Sequence, residues 1–105
     1  MEHESSTCGI AKALAVIGGK WTLLIVRDLL QGQRRFSELE ESLDGISPRT
    51  LAARLKELEI DEIVTRDCSS GHPVYALTER GMGLSSILIQ MRDWGNVKAH
   101  QKLST

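Results

Sequence analysis

The sequence is poor in aromatics, with two Trp, one Tyr and one Phe among 105 residues, so its core is expected to be aliphatic. Only two cysteines are present, and Met-Glu-His-Glu at the start is acidic and polar, unlike a signal peptide. Together these point to a reducing cytoplasm rather than an exported disulfide scaffold. No apolar run approaches the roughly 20 residues of a membrane span, so no membrane partner is expected. Repeats, low-complexity tracts and internal linkers are absent. So are a Gly-rich phosphate loop, a nucleophile elbow and a metalloprotease motif, and the expectation is no enzyme, no catalytic residue and no cofactor. Acidic pairs such as Glu40-Glu41 and Asp61-Glu62 diverge on a helix and read as wetted faces. Cys68 and His72 stand four apart, with His3, Cys8 and His100 elsewhere. No close Cys/His cluster has zinc-finger spacing, so no metal site is expected.

An excess of positive charge is also missing. Lys plus Arg number 13 against 14 Asp plus Glu, a net charge of −1. Non-specific DNA affinity comes from Lys and Arg displacing counterions from phosphates. A DNA binder of this composition must gather its cations on one face, and two copies in a dimer would double them. The apolar share of 41% and charged share of 26% are those of a globular chain. Its length suits one domain, 1–105, with a core that needs no metal or disulfide and with frayed ends at about 1–7 and 100–105.

The most informative stretch present is 45–59. Ser47 reads as an N-cap and Pro48 as the first helical residue, where a missing N–H costs nothing. Leu51, Leu55 and Leu58 recur at i, i+4, i+7 and share one face. Arg49, Ala53 and Lys56 point the other way, with Thr50 and Glu57 beside them. A leucine-anchored helix with Arg, Thr and a small Ala near its N-terminal end is shaped for a DNA major groove. Taken alone, the same pattern also suits an ordinary amphipathic surface helix.

Its neighbours give it context. A first helix is expected from Thr7, with Ile10, Leu14 and Ile17 on one face, stopped by Gly18-Gly19. A second, over about 20–30, is apolar on most sides and belongs at the core centre. After the turn at 31–33, Arg34-Arg35-Phe36 allows a brief strand. Ser37 with Glu40 suggests a capping box for a third helix, and Phe36, Leu39, Leu43 and Ile46 line one face of that segment. Asp44-Gly45 is a turn, so a short helix, a turn and a capped helix follow in the order of a helix-turn-helix. β-Branched segments at 63–66 and 74–78 flank a turn-rich connector at 67–73 and read as a hairpin. Thr78 can cap a last helix through Leu84, Ile87, Leu88, Met91 and Trp94, with Gly95 as an interruption. The expected fold is mainly α with a small β-hairpin, a winged helix-turn-helix plan.

The ordered segments Cys8, 17–21 (Ile-Gly-Gly-Lys-Trp), 35–39 (Arg-Phe-Ser-Glu-Leu), 45–47 (Gly-Ile-Ser), 51–59, 75–78 (Tyr-Ala-Leu-Thr), Gly81 and Trp94-Gly95 resemble the HxlR-type bacterial transcriptional regulators over nearly the whole chain. The resemblance implies a homodimeric winged-helix protein on an inverted-repeat operator in double-stranded DNA. The recognition helix would lie at 47–59 and the wing at 63–78. Terminal helices would build the dimer, here through Leu84, Ile87, Leu88, Met91 and Trp94; ordinary core packing is the alternative for that face. The DNA-facing candidates are Ser47, Arg49, Thr50, Ala53, Arg54 and Lys56, with Arg35 and Arg34 holding backbone and Glu57 either accepting from cytosine or solvated. The resemblance also implies that Cys8 senses oxidants or electrophiles, the thiolate being favoured at a helix N-terminus with Lys12 one turn on; an inert buried thiol is the alternative. Cys68 is a candidate disulfide partner across subunits.

Three features depart from the family pattern. Cys8 is followed by Gly9 where Cys-Pro is usual. Glu62 stands where an Asp-Gly pair usually precedes the wing. The connector 67–73 carries Asp67 and no Lys or Arg, so the wing is expected to add little affinity. The rival reading is a winged helix that docks proteins without DNA.

Overall fold

A computed structural model describes residues 8–97, and its centre is the helix whose sequence is apolar on most sides. This is α2 (Lys20–Leu29), which follows α1 (Gly9–Ile17). Then come the two-residue strand β1 (Arg34–Arg35) and the helices α3 (Phe36–Ser42) and α4 (Pro48–Ile60). Strands β2 (Val64–Asp67) and β3 (Val74–Leu77) precede α5 (Glu79–Met82) and α6 (Ser85–Asn96). The expected ends at 1–7 and 100–105, with Thr7, His3 and His100, lie outside the described residues.

The core gathers Ile25, Val26 and Leu29 of α2 with Leu39, Leu43 and Ile46, the three leucines of α4, and Ile63, Val64 and Tyr75. It is aliphatic apart from Tyr75, as the composition implies. Each fully buried Leu or Ile contributes roughly 1.5–3 kcal/mol of transfer free energy. Trp21, Leu24 and Leu30 pack against its margin.

The hairpin forms with β2 and β3 antiparallel, Val64 opposite Leu77 and Asp67 opposite Val74. β1 adds to the other edge of β3, giving the order β1-β3-β2, so the hairpin becomes a three-stranded sheet. Arg34 pairs with Tyr75 and Arg35 with Val74. The 34–36 segment is therefore a strand for two residues only, and Phe36 already begins α3.

Several details differ from the sequence reading. The capping pair of α3 lies two residues earlier than Ser37–Glu40: the Arg35 backbone N–H donates to Glu38 Oε1 at 2.8 Å. The face of α1 is not a core face. Ile10 is 73% and Leu14 59% exposed, and only Ile17 is buried. The last helix is two helices. Thr78 caps α5 through Gly81 N–H at 3.0 Å, α5 ends at Gly83, and α6 starts afresh at Ser85. Gly95 does not interrupt α6, which runs on to Asn96.

Gly81 explains why α5 sits where it does. A Cβ there would strike the Ile63 carbonyl oxygen, so only glycine lets α5 lie against the start of the sheet. Glu62, just before, is the one non-glycine among the described residues with positive φ, at 63°.

Candidate nucleic-acid interface

The leading element is α4. Ser47 is its N-cap, with Oγ accepting from Thr50 N–H at 3.1 Å, and Pro48 follows in the first turn. Gly45, at φ 90°, makes the turn from α3 that sets the angle between the two helices. Leu51, Leu55 and Leu58 are 0%, 1% and 1% exposed and bind α4 to the core. The opposite side is bare: Arg49, Ala53 and Lys56 are exposed, and among the described residues no hydrogen bond or ion pair occupies the two cations.

Other candidates are less free. Thr50 is half-buried, and its Oγ1 accepts from Ser47 Oγ at 2.9 Å, so this hydroxyl is already oriented by the cap. Arg54 is half-buried on the flank of the leucine face, with Nη1 3.4 Å from Glu57 Oε2, a pair three residues apart. Glu57 therefore neutralises part of the basic stripe. Such exposed pairs are worth well under about 1 kcal/mol, so a phosphate can displace the carboxylate. Arg35 is exposed at the start of α3, while Arg34 is half-buried and spends Nη1 on the Gln33 carbonyl at 2.9 Å. Ile60, 70% exposed, falls on the same bare side of α4; a leucine count alone passes over it.

The sheet places further charge. Arg66 of β2 and Arg34 of β1 both lie opposite Tyr75, so one row of the sheet carries a cation on each side of that ring. Arg66 is exposed and lies one residue before the connector 67–73, whose lack of Lys and Arg gave the expectation of a poorly charged wing. At the tip, Asp67 Oδ1 accepts from Ser69 N–H at 2.9 Å. That hydrogen bond holds the Asp67 pKa below the usual carboxylate value, so the wing tip keeps a negative charge.

Cys8 is exposed, not buried, and forms the N-cap position of α1. The backbone N–H of Ala11, then that of Ile10, lowers its pKa, as expected where N–H groups converge at a helix start. Its carbonyl accepts from Lys12 N–H at 2.9 Å. Cys68 is exposed in the wing turn. Among the described residues no group of three or more His, Cys, Asp or Glu is placed to hold a metal ion, and no single helix is long and apolar enough to cross a membrane.

The terminal candidates divide. Leu84 and Leu88 pack against the core margin. Ile87, Met91 and Trp94 are exposed, Trp94 at 76%.

A capped helix with a bare basic side, set by a tight turn behind a short helix and followed by a small sheet, is a winged helix-turn-helix. The HxlR-like helix-turn-helix family model matches residues 16–103. The chain belongs to this family, and it is a transcriptional regulator of the HxlR winged-helix type. It is 43% identical over 96 residues to the HTH-type transcriptional regulator YvaP of Bacillus subtilis, covering 88% of this chain and 89% of YvaP. It is 40% identical over 87 residues to YodB of the same organism, covering 80% of this chain and 78% of YodB. Among solved structures it resembles the redox regulator HypR in its reduced form, with a TM-score of 0.77 at 37% identity over 84% of this chain and 90% of HypR. It also resembles the quinone-bound form of B. subtilis YodB, with a TM-score of 0.74 at 38% identity over 83% of this chain and 94% of that one.

Proposed function

We propose that the protein works in the cytoplasm as a homodimer that reads an inverted-repeat operator in double-stranded DNA through α4. The single observation that carries this reading is the bare Arg49–Ala53–Lys56 side of a helix whose leucine side is fully buried. Arg49, in the first turn after the cap, reaches guanine O6 and N7, a contact worth about 1–3 kcal/mol of discrimination. Ala53 lets the helix sit deep, Thr50 offers its hydroxyl, and Lys56, Arg54 and Arg35 take phosphates. The second copy supplies the cations that a chain of net charge −1 lacks. Ile87, Met91 and Trp94 of α6, with Ile10 and Leu14 of α1, are the exposed apolar residues the dimer would cover. Two half-sites about 34 Å apart then match two recognition helices.

Cys8 adds a redox or electrophile response. Its exposure, its lowered pKa and its place on a dimer-facing helix support this role, since oxidation there would reset the angle between the two reading helices.

Selection of bound sites from random DNA, followed by gel shifts across salt, tests the reading. Arg49→Ala should flatten sequence preference, whereas Lys56→Ala should weaken all sites alike and reduce the salt slope by about 0.9 for each protomer. Parent-like behaviour in both variants would move the interface elsewhere, and absence of binding at low salt would favour a protein-docking role. Diamide treatment of the parent and of Cys8→Ser, followed by the same gel shift, isolates the thiol.

A further inference from the structure

Helix α6 has three distinct sides. At about 100° per residue, Leu84 and Leu88 form the side packed on the core, while Ile87, Met91 and Trp94 form one flank. Ser85, Ile89 and Arg92 form the other flank, directed away from the face assigned above to the dimer. That second flank borders a groove of about 690 Å³ shared with α2, and Met91 also lines it, so the groove meets the dimer-facing flank at that edge. Small-molecule sites span roughly 300–1,000 Å³, so the size fits a ligand rather than a stray water.

The groove joins an apolar floor to a rim of three cations, two of which are ion-paired on one edge with carboxylates outside the lining. Leu24 and Leu88 lie along it, and its charged lining residues are Lys20, Arg27 and Arg92, with no carboxylate among the residues that line it. Lys20 and Arg27 are seven residues apart on α2, so both face the groove about 10 Å from each other. The three cations are held ready. Lys20 Nζ stands 4.8 Å over the Trp21 ring. Arg27 rests Nε and Nη2 on one oxygen of Asp28, at 3.1 and 3.0 Å, and Arg92 does the same with Asp93. In both arginines the Nη1 donors have no partner among the described residues. The chain as a whole is slightly acidic, so any preference for an anion here is a local property of the groove.

We propose that the α2–α6 groove binds an amphipathic carboxylate, a small molecule with an apolar body and one anionic head. The body lies on the leucine floor and covers half-exposed Ile89; the head takes a free arginine Nη1 donor on the rim, with the Lys20 ammonium adding its charge. The site stands apart from α4, so it holds whether or not α4 reads DNA.

The test is calorimetric titration of the full chain with decanoate, with decanol and decyltrimethylammonium as the same body without the anion. Saturable binding of one decanoate per chain is expected, with both controls about tenfold or more weaker, the size of one lost charge-assisted hydrogen bond. The double variant Lys20→Gln/Arg27→Gln should lose decanoate by a similar factor. Ile89→Trp, at a half-exposed position that tolerates bulk, should block the groove while the melting temperature stays near that of the parent. Equal affinity for decanoate and decanol would overturn the proposal, as would undiminished binding in both variants. So would no decanoate binding together with conversion of a dimer to a monomer by Ile89→Arg in light scattering, because the groove would then be covered by a second copy.

Discussion

Glu62 is a strained position whose side chain does nothing visible to offset the strain. Its φ is 63°, in the left-handed region. Its backbone is well used: the N–H donates to the Glu59 carbonyl at 3.0 Å, and the carbonyl accepts from Thr78 Oγ1 at 2.6 Å. The side chain is exposed and makes no hydrogen bond or ion pair among the described residues. A Cβ in this region costs about 1–2 kcal/mol. Glycine removes that cost but loosens the unfolded chain by about 0.4–1 kcal/mol. Glu62→Gly should therefore stabilise the protein by about 0.5–1 kcal/mol, or about 2–8 °C in Tm for a domain of this size. Glu62→Ala keeps the Cβ while removing the charge, and should gain close to nothing. Urea unfolding with an unchanged slope, alongside thermal melting, measures both. A less stable Glu62→Gly, or an alanine variant that gains as much as glycine, would refute the backbone argument.

Leu55→Ala, at a site 1% exposed beneath α4, should lose about 2–5 kcal/mol in urea unfolding; a loss below about 1 kcal/mol would mean that α4 is not clamped as described. Asp67→Lys replaces the wing-tip carboxylate with a cation. In gel shifts across salt it should tighten DNA binding and steepen the slope by about 0.9 for each phosphate gained, and an unchanged slope would leave the wing off the DNA. Cys8, in a Cys68→Ser background, should be alkylated by iodoacetamide with a half-rise at lower pH in the folded chain than in urea. The folded state favours its thiolate, so this small stabilising contribution is present above the unfolded pKa and is lost as pH falls through the folded one. Coincident half-points would remove the helix-start argument.

The recognition helix was legible because each of its signals is local. An N-cap hydroxyl, a proline in the first turn and leucines at i, i+4, i+7 act within a few residues, and Ser47, Pro48 and Leu51 behave accordingly. The capping pair of α3 was not legible in the same way: Ser37–Glu40 and Arg35–Glu38 offer a helix the same spacing, and the helix starts directly after Arg35, whose partner in the sheet is the distant Val74. The α1 face shows the limit of periodicity. Ile10 and Leu14 repeat as core residues do, yet no other described residue buries them, since an apolar stripe reports what a helix wants covered and not by what.

Local chemistry alone therefore settled the start of α4, its leucine side and the bare basic side opposite. Tertiary structure decided what depends on residues far apart in the chain. Arg34-Arg35 became a strand because β3, about 40 residues on, offered an edge. Glu62, by contrast, takes positive φ from the local cap that ends α4, with Ile63 N–H on the Leu58 carbonyl and Glu62 N–H on the Glu59 carbonyl; the distant segment adds only the Thr78 hydroxyl on its carbonyl. Lys20, Arg27 and Arg92 became one rim because α6 returns alongside α2. Caps and periodicities act over one or two turns, whereas strand edges and shared grooves exist only once distant segments meet.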